Sequence, residues 1–230
     1  MTRRATLMTL SLPLPRLAAY IARQINTFFP DGEDITDGQV RPLLEAAAAE
    51  LGEGLSRFHN AYFWRGGQVH LDHLHGDQYL LLLYRLGHHA ALAGPARRGL
   101  MDKCYLLNKA LHGLDIYPQV SLPAACWLAH PVGTVLGRAD YRGPLMTMQG
   151  CTIGNKSGGY PVIGSNVVLC ARTTILGACE IGDRVCFGAG SLVLDEKIPS
   201  DSTVVGRSPN LRVIPRRANL ISRVFRDVAE

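Results

Sequence analysis

Few side chains in this sequence combine the type and spacing needed for chemistry. The first is His130, alone in the apolar run CWLAHPVGTVLG at 126–137. Taken alone, a histidine in such a run is ordinarily a core residue with its ring nitrogens hydrogen-bonded. An accessible imidazole can instead act as a base near neutral pH. The second is HLDHLHGD at 70–77, with His70, His73, His75, Asp72 and Asp77. Imidazoles and carboxylates ligate transition metals, but this spacing matches no metal-binding pattern. It reads as a polar loop and helix start with Asp77 as N-cap, and no metal is expected. His88–His89 falls in a helical stretch and reads as structural. The six cysteines form no CxxC pair and are sparse in 230 residues. They read as reduced, space-filling thiols of a cytoplasmic protein.

The elements that must position His130 divide the chain in two. With 47% hydrophobic and 19% charged residues the chain is too apolar for disorder. Its net charge of +5 is spread over scattered arginines, which does not indicate nucleic-acid binding. The opening MTRRATLMTLSLPLPR has a short apolar run broken by Pro13 and Pro15 and no A-x-A site, so no signal peptide is expected. YLLLLY at 79–84 is too short to span a bilayer. Up to residue 113, PRLAAYIARQINTFF, RPLLEAAAAELGEGLSRF, DQYLLLLYRLGHHAALAG and GLMDKCYLLNKALHG repeat near period 3.6, which predicts four helices. Leu220, Ile221, Val224, Phe225 and Val228 predict an amphipathic helix near the C-terminus.

After Gly113 the period becomes six. Ile163, Leu169, Ile175, Ile181, Phe187 and Val193 recur at that interval. Val167, Thr173, Cys179, Val185 and Ser191, small or β-branched, stand four residues after the first five. Ile116, Leu122 and Leu128 begin the same register, with Val120, Cys126 and Val132 as their four-residue followers. Period six predicts a parallel β-helix of hexapeptide faces, the apolar residue inward and three faces to a coil of about eighteen residues. Leu128 and Ile163 do not fit one register, so the coils must be interrupted. Gly154, Gly158, Gly159 and Pro161 place the interruption, a protruding loop, within 149–164.

DIYPQV, HPVGTVLG, QGCTIGNKSGG, the repeats and VVGRSPNLRV resemble the serine acetyltransferases, best over about 115–213. The resemblance implies an α+β fold: a helical domain at 1–113, a left-handed parallel β-helix at 114–206 and a C-terminal tail with a short helix at 207–230. It implies acetyl transfer from acetyl-CoA to a hydroxyl, by homotrimers or hexamers whose sites form between neighbouring β-helices. In the family, the catalytic histidine follows an aspartate by fifteen residues, which gives His130 and Asp115 here. The imidazole would take the hydroxyl proton, and the carboxylate would fix its tautomer. Carried over by position, Gly154, Ala171 and Ala189 would line the acetyl-CoA groove, with Lys156 and Arg207 near its phosphates. Tyr160, Arg138 and Gln149 would face the acceptor.

The departures concern that acceptor. The family's aspartate before the histidine is Ala129 here, its Arg-His pair after the Gly-rich loop is lost in GGYP, and Arg138 replaces a glutamate. Both charged handles for a free amino acid are missing, which favours a small hydroxyl acceptor such as a sugar in glycan assembly. The alternatives are serine itself, another amino-acid-like acceptor held by Arg138 or Arg142, or an amine. A non-catalytic β-helix scaffold is the reading of another class. The family's cysteine-synthase contact uses a C-terminal isoleucine; this chain ends RDVAE, so that complex is not expected.

Overall fold

The computed structural model describes residues 8–215, 220–226 and 228. The sequence-predicted helices are present with small shifts at their ends. α1 (Leu14–Phe28) buries Leu17, Ala18, Ile21, Ala22 and Ile25 along one stripe. α2 (Asp37–Leu55) starts at a capping box, in which Gln39 N–H donates to Thr36 Oγ1 and Thr36 N–H to Gln39 Oε1. α3 (Gly76–Leu92) is buried continuously from Gln78 to Gly87, because α2, α4 (Arg98–His112) and the β-helix surround it. α4 ends at Gly113, whose φ of 61° is the left-handed cap that glycine adopts without strain.

One element is absent from the sequence reading. β1 (Thr9–Leu10), β2 (Trp64–Arg65) and β3 (Gln68–Leu71) form a small sheet in which β3 is central. Gly66 and Gly67, both at positive φ, make the β2–β3 hairpin turn.

The β-helix has three ladders. The first stacks β4 (Cys126–Leu128), β7 (Leu145–Thr147), β10 (Val167–Leu169), β13 (Cys186–Phe187) and β16 (Ser202–Arg207). The second stacks β5 (Val135–Leu136), β8 (Thr152–Gly154), β11 (Thr174–Leu176) and β14 (Leu192–Leu194). The third stacks β6 (Asp140–Tyr141), β9 (Val162–Ile163), β12 (Glu180–Ile181) and β15 (Lys197–Ile198). Residues 210–215, expected in the tail, form β17 (Asn210–Pro215), antiparallel to β16. Beyond it, α5 (Leu220–Val224) brings Phe225 against Phe58.

Ladder partners give the spacing of the inward residues. From Leu169 through Ile175, Ile181, Phe187 and Val193 each step is six. Two steps are longer: Leu128 to Leu136 takes eight residues and Ile153 to Ile163 takes ten. The ten-residue step holds the loop expected within 149–164. The eight-residue step was not foreseen, and it corrects one expectation. Val132, placed in the same register as Val167 and Thr173, leaves it and is 68% exposed, because the corner after β4 has two extra residues and Thr134 takes the buried place.

The two halves share one hydrophobic core, and their seam is polar at its centre. Arg85 on α3 is 1% exposed. Its Nη1 donates to Glu50 Oε1 of α2 at 2.8 Å and to the Leu122 carbonyl at 3.0 Å, and Nη2 donates to the Pro123 carbonyl. Gly54 of α2 lies so close that a Cβ there would sit 1.9 Å from the Ala124 carbonyl oxygen. Arg85→Ala leaves two carbonyls and Glu50 Oε1 without this donor, while Glu50 Oε2 keeps His89 Nε2 at 3.0 Å, and should cost about 3 kcal/mol in urea-unfolding experiments. Gly54→Ala should also lower the midpoint, because backbone must move to admit the methyl group. An unchanged midpoint in both variants would show that this seam does not hold the halves together.

Candidate functional site

His130 sits in the enlarged corner between β4 and β5. It is exposed, and its φ of 49° is left-handed, unusual for a residue with a Cβ. Neither ring nitrogen has a hydrogen-bond partner among the described residues, so the core-histidine reading fails. The corner is anchored by Ala129 N–H, which donates to the Thr147 carbonyl at 2.8 Å, Gly133 N–H to the Gly113 carbonyl at 2.9 Å, His130 N–H to Asp77 Oδ1 at 3.4 Å and Gly150 N–H to the Val132 carbonyl at 3.1 Å.

Asp115 lies one coil earlier, bridged to Val135 on the second ladder. Its carboxylate accepts from Tyr105 Oη at 2.9 Å and Lys109 Nζ at 2.7 Å. No hydrogen bond joins it to His130 in the described chain. Burial raises the Asp115 pKa, but the Lys109 and Tyr105 hydrogen bonds outweigh burial and hold it below the ordinary carboxylate range. Asp115 lines a cavity of about 620 Å³ with Tyr117, Gln119 and Arg138, whereas His130 lines another of about 450 Å³.

The remaining predicted residues fall into two groups. His130, Gln149, Ala171 and Ala189 occupy the same corner of successive coils, two residues beyond Leu128, Thr147, Leu169 and Phe187. Backbone bonds from Arg172 N–H to the Gln149 carbonyl and from Gly190 N–H to the Ala171 carbonyl, both 2.9 Å, stack that corner. Ala171 and Ala189 put small side chains at this corner on the two coils beyond Gln149. Gly154, Lys156, Tyr160 and Arg138 lie on the next corner. There the Arg138 guanidinium stands 4.7 Å over the Tyr160 ring. Lys156 is ion-paired with Asp195, which also accepts the Ala178 N–H at 2.9 Å. Arg207 is exposed at the end of β16.

The 70–77 cluster disperses. His70 Nδ1 meets Thr9 Oγ1 at 2.9 Å, His73 Nδ1 meets Ser11 Oγ at 2.7 Å, and the His75 ring lies 5.7 Å from the Tyr62 ring at a tilt of 47°. Among the described residues no group of three or more His, Cys, Asp or Glu side chains is placed to hold a metal. Asp77 is not the N-cap: that position is His75, and Asp77 stands in the first turn of α3. Sequence reasoning missed its place beside His130, because nothing local relates positions 77 and 130.

Residues 160–195 match the family model described as bacterial transferase hexapeptide (six repeats). A serine acetyltransferase of Helicobacter pylori is 32% identical over 131 residues, which are 55% of this chain and 75% of that protein. The chain belongs to the serine acetyltransferase family. Another family member, from Synechococcus elongatus, is 38% identical over 105 residues, 44% of this chain and 43% of that protein. The chain thus spans less than half the length of that relative. The solved structure of a Brucella abortus serine acetyltransferase in complex with coenzyme A shares the fold, with a TM-score of 0.61 at 17% identity over 90% of this chain and 84% of that one. The names of these relatives fit the alternative acceptor, serine, better than a sugar.

The Asp115 geometry can be checked directly. Its carboxyl should titrate below the usual range in carbon-detected NMR, and Lys109→Met should raise it, because burial then meets less opposition. The stabilisation carried by this depressed pKa is present above the unfolded carboxylate value and is lost as pH falls through the folded one. An unmoved titration in Lys109→Met would refute the pairing.

Proposed function

We propose that this chain is an acetyl-CoA-dependent O-acetyltransferase whose acceptor is L-serine. The observation that carries this reading is His130: a solvent-reached imidazole without hydrogen-bond partners among the described residues, at a corner that Ala171 and Ala189 share on later coils, in a chain of the serine acetyltransferase family. In this reading His130 removes the serine hydroxyl proton as the oxygen attacks the thioester carbon. The tetrahedral intermediate then collapses, the C–S bond breaks, and the imidazolium returns its proton to the departing CoA sulfur. No acyl-enzyme forms, so no cysteine or serine nucleophile is required.

The corner shared by Gln149, Ala171 and Ala189 would receive the pantetheine arm, whose narrow chain suits methyl groups and backbone. Arg207 would serve the phosphates. Lys156 could do so only by leaving Asp195. Asp115 would stabilise the imidazolium, and for that it must exchange Lys109 for His130 as charge develops on the ring. Gly154, Tyr160 and Arg138 stand on a different corner from His130, so one chain cannot close them around one substrate. Packing of neighbouring copies as a homotrimer would bring a loop corner to a histidine corner.

The test is thiol release from acetyl-CoA with L-serine as acceptor. His130→Ala should reduce turnover by at least about 100-fold while CoA still binds in calorimetry. Turnover that survives this substitution would remove His130 from the mechanism.

A further inference from the structure

Part of the wall of the cavity beside His130 comes from the segment after α2, through Asn60 and Tyr62, and part from β4, through Trp127. Both parts lean on the C-terminal segment at 220–226, which does not itself line the cavity. We infer that this segment braces the wall, with Phe225 as a positioning residue that acts through Phe58 and Trp127. The inference rests on the reading of the cavity as the acceptor site, and adds to that site an element remote from it in sequence.

Aromatic rings connect the tail to the cavity. Phe225 is 1% exposed, and its ring lies 5.3 Å from that of Phe58. Phe58 is fully buried and meets the Trp127 indole at 5.9 Å and 72°. Phe63 meets the same indole at 5.5 Å and 76°. Edge-to-face contacts are directional, so each ring limits the tilt of the next. A close-packed interior passes a displacement on rather than absorbing it. Trp127 Nε1 also donates to Asp77 Oδ2 at 3.4 Å, so a tilted indole would be felt at a second lining residue.

Backbone bonds hold the tail in register with the wall. Phe58 and Phe225 form an antiparallel bridge. His59 N–H donates to the Val224 carbonyl at 2.9 Å, and Arg226 N–H to the Arg57 carbonyl at 2.8 Å. Arg226 Nε donates to the Phe58 carbonyl at 3.3 Å, and its guanidinium stands 4.1 Å over the Trp64 ring. Asn60 follows directly, and its side chain fixes the turn that carries Tyr62 by accepting Tyr62 N–H at 3.0 Å. The five residues of α5 are too few to hold a helix by themselves, so docking gives the segment its order. Its loss would uncover Phe58 and break the bonds that fix 57–59 at the root of the wall.

The experiment compares Phe225→Ala and Phe225→Leu with Val193→Ala, which removes buried volume from β14, the last strand of the second ladder. Thiol release with L-serine gives KM and kcat. Fluorine NMR of the 5-fluorotryptophan-labelled full chain gives one line each for Trp64 and Trp127, assigned with Trp64→Phe. Phe225→Ala should raise KM at least about threefold, with kcat changed less, and should shift the Trp127 line. Phe225→Leu, which restores most of the volume, should do both to a smaller extent. Val193→Ala should lower the urea-unfolding midpoint and leave KM and the Trp127 line in place. If Phe225→Ala does not fold, Phe225→Leu against Val193→Ala carries the same test. The inference is overturned if KM stays at the wild-type value in the Phe225 variants that fold, or if Val193→Ala raises it by the same factor. If the wild type releases no thiol with L-serine, the acetyltransferase reading is what fails, and the Trp127 line alone decides the brace: a line moved by the Phe225 variants and not by Val193→Ala keeps it, and an unmoved line overturns it.

Discussion

The buried guanidinium of Arg85 ties the molecule together. Itself out of reach of water, it holds one oxygen of the half-buried Glu50 carboxylate, whose other oxygen meets His89, and two backbone carbonyls at 122–123. Tyr84 extends the seam, its hydroxyl donating to the Val120 carbonyl and accepting from Leu122 N–H. These contacts fix α3 against the strand-like approach to β4. Because α3 is a rigid rod, they also fix its first turn, where Asp77 meets the His130 corner. A charge buried mid-helix thus sets a distance at the helix end, about two turns away.

The second constraint is the stacking of coils. Six residues per face leave little freedom: an added residue must be expelled at a corner or it breaks the ladder. The chain uses that rule twice. The eight-residue step expels His130, Val132 and Gly133, and the ten-residue step expels the loop carrying Lys156 and Tyr160. Every other step stays between five and six residues, and inward residues such as Ile175, Phe187 and Val193 are fully buried there. Side chains available for chemistry stand where the repeat is broken.

This explains what was legible in the sequence. Period six is a direct image of burial, so the coils could be read from Ile163 through Val193 with no structure at hand. The helices were readable for the same reason at period 3.6. The misfit between Leu128 and Ile163 announced an interruption, but a sum cannot say how many corners share it. Glycines drew attention to one, while the corner after Leu128, marked only by Pro131 and Gly133, passed as regular. The sheet of β1, β2 and β3 was invisible because strands of two to four residues carry no period. Asp77 was seen as a helix-start residue, and its meeting with a corner 53 positions away depends on the seam rather than on any local pattern. The acceptor could not be read from position 129, because a missing charge there says nothing about charges supplied from another element.

The backbone at His130 carries a further consequence. A residue with a Cβ held at φ 49° gives up on the order of 1 kcal/mol relative to glycine in the same conformation. Six other described residues with a Cβ, Arg172 and Arg184 among them, also stand at positive φ in the β-helix, so the corners of the coils carry this strain repeatedly. A glycine at position 130 would relieve it there, so on the proposed reading of His130 as the base, stability and activity pull this position in opposite directions.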